Sequence, residues 1–222
     1  MSNSSLIILD LDGTLVDSQH VIVQVMTVAA LQTGLPVPSD AAVRRIIGLS
    51  LDHAISDLFP TAEPAKLPEI VKAYRTEALR VRALPDDPEV LFDGARDFVS
   101  LLRESGYLLG IATGKARRGV DHFCEKYDMV GWFDTIQTPD TNPGKPHPGM
   151  IESALSETGA SITRAVMVGD TTFDIEMARN AGVFAIGVGW GNHPIPALER
   201  AGADHIVECM KDLPQVISQV LG

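Results

Sequence analysis

Apolar and polar positions along the chain fall into two different rhythms. Between residues 18 and 84 no period-two alternation occurs, and apolar residues recur at helical spacing instead. Val21, Val25, Val28 and Leu31 predict a helix that starts at an Asp17 or Ser18 cap and runs to about Gln32. Gly34-Leu35-Pro36-Val37-Pro38 stops it. Ser39-Asp40 opens a second helix through Ile47, broken at Gly48, and further helical patterns span Leu51 to Leu58 and, after Pro68, Glu69 to Ala83. Pro85-Asp86-Asp87-Pro88 reads as a linker.

On either side of this block, short apolar runs alternate with helical patterns. Leu6-Ile7-Ile8-Leu9 predicts a first strand, and from residue 94 a helix over Ala95 to Glu104 precedes a strand over Tyr107 to Ala112. A helix over Ala116 to Tyr127, a short strand near Thr135-Ile136 and a helix over His147 to Glu157 follow. Then come a strand over Ala165 to Val168, a helix over Thr172 to Asn180, strands at Val183 to Val188 and His205 to Val207, and a last helix. Such alternation predicts an α/β fold: a Rossmann-like parallel sheet covered by helices on both faces, its strands near-continuously apolar. The expected organisation is a core of residues 1–16 and 89–222, with an all-α cap of residues 17–88 inserted after the first strand. Sites in such sheets lie beyond the carboxyl ends of the strands. The insert would therefore sit over the site as a lid, hinged at Leu15 to Ser18 and Pro85 to Pro88.

Composition narrows the partners. The chain has 222 residues, 45% of them hydrophobic, and a formal charge of -11. That charge leaves no basic surface for a nucleic-acid backbone. A small phosphorylated metabolite remains compatible, because a bound divalent cation reverses the local potential. Cys124 and Cys209 have no metal-type spacing and read as reduced thiols. Met1 to Ser5 carry no basic leader region, and no stretch approaches the roughly 20 apolar residues of a membrane span. A cytoplasmic monomer or homodimer is expected.

The candidate chemistry lies at the strand ends. The first strand runs into Asp10-Leu11-Asp12-Gly13-Thr14, two carboxylates two residues apart before a glycine turn. Like charges set together at a strand end are unfavourable unless a cation or a reaction requires them. The strand at 107–112 ends in Thr113-Gly114-Lys115, and the strand at 165–168 in Gly169-Asp170-Thr171-Thr172-Phe173-Asp174. Between them Gly144-Lys145-Pro146-His147-Pro148 forms a loop before a helix. All four sets fall on one edge of the predicted sheet.

This set, in this order, resembles the haloacid dehalogenase superfamily of phosphohydrolases, and within it the phosphoglycolate phosphatase-like enzymes with a small helical cap. The resemblance implies that Asp10 is the nucleophile, forming an aspartyl-phosphate, and that Asp12 protonates the leaving alkoxide and then activates water. It further implies Mg²⁺ bound by Asp10, the Asp12 carbonyl, Asp170 and Asp174. The Thr113 hydroxyl, the Gly114 N–H and Lys145 would hold the phosphate. Two of these positions have plainer readings: Lys145 alone suits a solvated surface lysine, and Asp174 a helix-dipole residue.

The carboxylate at Asp12 favours phosphoryl transfer over carbon–halogen cleavage, for which relatives generally lack it. Alternatives are a β-phosphoglucomutase-like mutase, a pyrophosphatase, a nucleotidase, or a silent phospho-ligand-binding protein. The mutase reading is weakened because Ile22 stands where such mutases carry a hinge histidine, with His20 two residues earlier. Lys115, Arg117 and Arg118 read mainly as solvated charges; Trp190-Gly191-Asn192-His193 follows a strand and could border the site, with surface packing the favoured reading. In the cap, Arg44, Arg45 and the Ile47-Gly48-Leu49-Ser50 break are candidates for substrate contact. Phe92-Asp93-Gly94-Ala95 departs from the Pro-Gly start that many relatives show at this helix, and Asp93 is able to cap it instead.

Overall fold

The computed structural model describes residues 4–222; Met1, Ser2 and Asn3, on which the leader reading partly rests, lie outside the described residues. Strand β1 (Leu6–Leu9) leads through β2 (Val16–Asp17) into four helices: α1 (Gln19–Thr33), α2 (Asp40–Ile46), α3 (Leu51–Leu58) and α4 (Lys66–Arg82). The chain returns through β3 (Val90–Leu91) to α5 (Ala95–Glu104), β4 (Leu108–Ala112), α6 (Arg117–Lys126), β5 (Thr135–Gln137) and α7 (Gly149–Thr158). It closes with β6 (Ala165–Gly169), α8 (Thr172–Ala181), β7 (Phe184–Val188), α9 (Ile195–Ala201), β8 (His205–Val207) and α10 (Leu213–Leu221).

Six strands form one parallel sheet in the order β5-β4-β1-β6-β7-β8. Successive side chains of a strand point to opposite faces. Ile7 and Leu9 accordingly pack with Phe98, Val120 and Ile217 on one side, while Leu6 and Ile8 pack with Ile151, Ile175 and Leu198 on the other. All four β1 residues are fully buried, which explains why that strand is apolar without alternation. β1 lies between β4 and β6, so the three strand ends carrying the expected chemistry are neighbours.

The helical block builds its own apolar cluster around Met26, Ala29, Val43, Ile55 and Ile70. Its two connections to the core run side by side, because β2 pairs antiparallel with β3, Val16 opposite Leu91. Two residues per strand leave no sequence pattern, and this ribbon went unanticipated at the expected hinges.

Three local expectations are corrected. Helix α4 begins at Lys66, not Glu69, and takes Pro68 into its first turn, where a missing N–H breaks no intrahelical bond. Helix α9 begins just after Pro194 and holds Pro196 in its first turn for the same reason, in a stretch where no element was expected. In α1 the buried arc is Val21, Val25, Met26, Ala29 and Ala30. Leu31, about 100° further round than Ala30, is 64% exposed.

A pair of truncations tests this assignment of the core. Ile7→Ala should cost about 2–5 kcal/mol in urea unfolding, and Leu31→Ala less than about 0.5 kcal/mol. A large loss at Leu31 would contradict the orientation of α1.

Candidate active site

The carboxyl ends of β1, β4 and β6 deliver their side chains to one place. Asp10 follows β1 directly, its N–H donating to the Val168 carbonyl at 3.0 Å. Its Oδ1 accepts from the Leu11 N–H at 2.7 Å, and its Oδ2 lies 2.9 Å from Lys145 Nζ. Lys145 is only 1% exposed, which overturns the solvated reading of this lysine. Its ammonium is held from the other side by Asp174 Oδ1 at 2.5 Å. Asp174 in turn closes a capping box at the start of α8, its Oδ2 accepting from the Thr171 N–H and hydroxyl at 3.0 and 2.7 Å. The helix-start role and the site role therefore coexist in one carboxylate, which sets Lys145 against Asp10.

Asp170 is fixed by Thr14 Oγ1 at 3.1 Å and by the Asn192 backbone N–H and side-chain amide at 2.7 and 2.9 Å. Gly13, at φ +88°, passes so close that a β-carbon there would overlap the Asp170 carboxylate and the Asn192 amide. The turn after β1 needs glycine both for its backbone angle and for this approach. Asp10, Asp170 and Asp174 each place a carboxylate oxygen within 4.8 Å of the others. Burial pushes the Asp10 carboxyl up to about 7 against the pull of Lys145, and burial with Asp174 pushes Asp170 up to about 7. Burial alone would lower the Lys145 ammonium, but Asp10 and Asp174 hold it above the ordinary lysine value.

Asp12 faces a different partner. Its Oδ1 accepts from Ser18 Oγ at 2.6 Å and lies 3.1 Å from Lys115 Nζ. Lys115 also pairs with Glu89 at 3.2 Å, and Arg82, the last residue of α4, approaches Glu89 at 3.5 Å. Burial raises Asp12, but the Lys115 ammonium and Ser18 hydroxyl outweigh it and hold the carboxyl below its usual value. The two carboxylates expected on one side of a strand thus diverge past the end of β1, each to its own lysine. Lys115 is buried and not solvated; Arg117 pairs with Asp121 at the surface and Arg118 is exposed, as read.

Thr113 is buried at the end of β4, donating its N–H to Gln137 O at 3.2 Å and accepting the Lys115 N–H on Oγ1 at 3.3 Å. A β-carbon on Gly114 would overlap the Gly48 and Leu49 carbonyl oxygens. The helical block's 47–50 turn therefore rests on Gly114, and only glycine lets it come so close. A second tie is His193: Nδ1 accepts the Thr172 N–H and the other ring nitrogen meets the Arg45 carbonyl, both at 3.1 Å. Arg44 and Arg45 themselves are exposed and lie outside the cavity wall, so neither side chain is placed for substrate contact. Asn192 and His193, read as surface packing, instead buttress the site. Their position just past β7, on the same sheet edge as the motifs, was the available signal. Glu89 and Ser18 carried none.

Three buried carboxylates share one ammonium around Asp10, Asp170 and Asp174, leaving two surplus negative charges and an all-oxygen donor set. That chemistry fits a hard divalent cation. Among the described residues no helix is long and apolar enough to cross a membrane.

Residues 7–188 match the family model described as "Haloacid dehalogenase-like hydrolase". The chain is 35% identical to "Probable phosphatase IndB" of Dickeya dadantii, over 94% of this chain and 91% of that protein. It is 27% identical to "Pyrophosphatase PpaX" of Bacillus mycoides (97% and 98%) and 24% identical to "Phosphoglycolate phosphatase" of Nitrosococcus oceani (99% of each). A crystal structure of a hydrolase from Pseudomonas syringae, 24% identical, superposes with a TM-score of 0.87 over 99% of this chain and 100% of that one.

Two outcomes follow from the buried charges. Asp10 and Asp170 bind more protons folded than unfolded between pH about 4 and 7, so cation-free stability falls as pH rises through that window. Millimolar Mg²⁺ should therefore raise Tm clearly at pH 8 and little at pH 5; equal shifts would contradict a carboxylate-held cation. Lys115→Met, which strands Asp12 and leaves Glu89 with Arg82 alone, should cost about 3–5 kcal/mol in urea unfolding.

Proposed function

The chain belongs to the haloacid dehalogenase-like hydrolase family and is a phosphatase of that family; from this premise we propose that it hydrolyses a small phosphate monoester, with Mg²⁺, through an aspartyl-phosphate on Asp10. The observation that carries the proposal is the split of Asp10 and Asp12 between two lysines, Lys145 at 2.9 Å and Lys115 at 3.1 Å. It would set Asp10 beside phosphorus at the cation cluster, and Asp12 apart on the helical-block side, within reach of the leaving oxygen.

Asp10 is the group at the centre of the carboxylate cluster, next to the buried ammonium that offsets the charge of an approaching phosphate dianion. Lys145 is held in place by Asp174, so its charge needs no rearrangement when substrate arrives. Thr113 and Gly114 border the same point from the end of β4, where a hydroxyl and an N–H accommodate the oxygens that do not transfer. Asp10, Asp170 and the Asp12 carbonyl would hold the divalent cation, with Asp174 at the edge of the shell, and the cation would supply charge neutralisation at phosphorus. Asp12, on the helical-block side, is placed to give a proton to the leaving oxygen and to take one from the water that cleaves the acyl-phosphate.

Hydrolysis is preferred over mutase chemistry because Ile22 lines the cavity and His20 is exposed on α1. Pyrophosphate hydrolysis is the second reading, and its support is the relatives named as pyrophosphatases.

Phosphate release from a panel of monoesters and pyrophosphate tests the proposal. Turnover should need Mg²⁺, stop with excess chelator, and vanish in Asp10→Asn. Asp12→Ala should slow an alkyl phosphate about 10²–10⁴-fold and p-nitrophenyl phosphate much less, since nitrophenolate leaves without a proton. Equal losses on both substrates would remove Asp12 from the acid role.

A further inference from the structure

Between the helical block and the core lies a cavity of about 280 Å³ that opens from Asp12 and Thr113 toward α1 and α4. Small-molecule sites begin near this size, at ~300 Å³, and are mostly apolar with a few placed polar groups. Most of the wall opposite Asp12 is hydrocarbon. Val21 and Val25 of α1, with Tyr74 and Ala78 of α4, form an apolar cluster separate from the main core of the helical block, and all four face the cavity. Leu49, from the turn resting on Gly114, extends the same wall.

The charged groups of this half of the site already balance one another. Lys115 and Arg82 stand against Asp12 and Glu89, and Arg75 against Asp52 at 3.7 Å. Arg118 is the one cavity-lining cation with no ion-pair partner among the described residues, and it is exposed at the mouth. A second phosphate or a carboxylate deep in the cavity would have to share Lys115 and Arg82 with Asp12 and Glu89, leaving only the exposed Arg118 unmatched, which is unfavourable. Surplus charge sits on the other side, around Asp10, Asp170 and Asp174, and it is negative. Three polar groups of the wall stay available: the Tyr74 and Ser50 hydroxyls and the Arg82 Nε–H have no hydrogen-bond partner among the described residues.

We propose that the leaving group is an uncharged alcohol with an apolar body, aromatic or branched aliphatic, seated on Val21, Val25, Tyr74 and Ala78, and that neither pyrophosphate nor phosphoglycolate is the preferred substrate. This rests on the monoester phosphatase reading and names the substrate class of that site. Burying an apolar body against this wall selects it over a compact anion, which would leave the same surface to water. Each methylene so buried changes kcat/KM about 10-fold or more.

The test is kcat/KM, with Mg²⁺, for methyl, butyl and benzyl phosphate against phosphoglycolate and pyrophosphate. The expected result is a rise from methyl to butyl to benzyl phosphate, with benzyl phosphate about 10-fold or more above both phosphoglycolate and pyrophosphate. Ala78→Leu, which fills the cavity, should lower the benzyl-to-methyl ratio about 10-fold. A preference for phosphoglycolate or pyrophosphate overturns the apolar leaving group and leaves the phosphatase reading standing. Equal turnover of all the esters, or a ratio unmoved by Ala78→Leu, overturns it as well. No phosphate release from any compound overturns both.

Discussion

Burying many carboxylates at one sheet edge is the constraint on which the rest of this structure depends. Asp10, Asp12, Asp170, Asp174 and Glu89 are all withdrawn from water within a few residues of the strand ends. Isolated buried charges are among the costliest features a fold contains. The molecule answers with Lys145 for one half of the site and Lys115 with Arg82 for the other. The answer is complete for the second half and incomplete for the first, where two negative charges remain in surplus. A site built this way gains stability when it binds a divalent cation.

The same arrangement ties the helical block to the core. Glu89 lies just before β3, where the chain re-enters the core, and joins Lys115 of the core to Arg82 at the end of α4. The Asp12 carboxylate is thereby connected through three ion pairs to the last turn of the helical block. Gly114 beneath Gly48 and Leu49, and His193 against the Arg45 carbonyl, add contacts that use backbone rather than charge. The position of the helical block and the surroundings of the Asp12 carboxylate are thus parts of one contact system, while Asp10 and Lys145 belong wholly to the core.

Much of this was legible from residues alone where the physics is local. β1 is apolar at every position because the sheet is covered on both faces, and the α/β alternation follows from the periodicities of its elements. The Asp-x-Asp-Gly-Thr turn, the Thr-Gly at the end of β4, the buried lysine before α7 and the Gly-Asp after β6 each sit at a predicted strand end or loop. Family comparisons agree with the fold and activity class that those motifs imply. What was misread depended on distant partners. Lys115 looks solvated until Asp12 and Glu89 are seen on either side of it, and Leu31 looks like core until the packing of α1 is known.

The residues alone were enough for the class of fold, the helical block after the first strand, and the motifs that bring Asp10, Asp12, Thr113, Lys145, Asp170 and Asp174 to strand ends and loops. Those follow from local periodicity and from the chemistry of short motifs. Packing in three dimensions set which lysine serves which aspartate, that Asn192 and His193 buttress the site, and that the cavity wall opposite Asp12 is largely hydrocarbon. The reason is physical: ion pairing and cavity shape depend on distances between groups far apart along the chain, and a one-dimensional pattern carries no record of those distances.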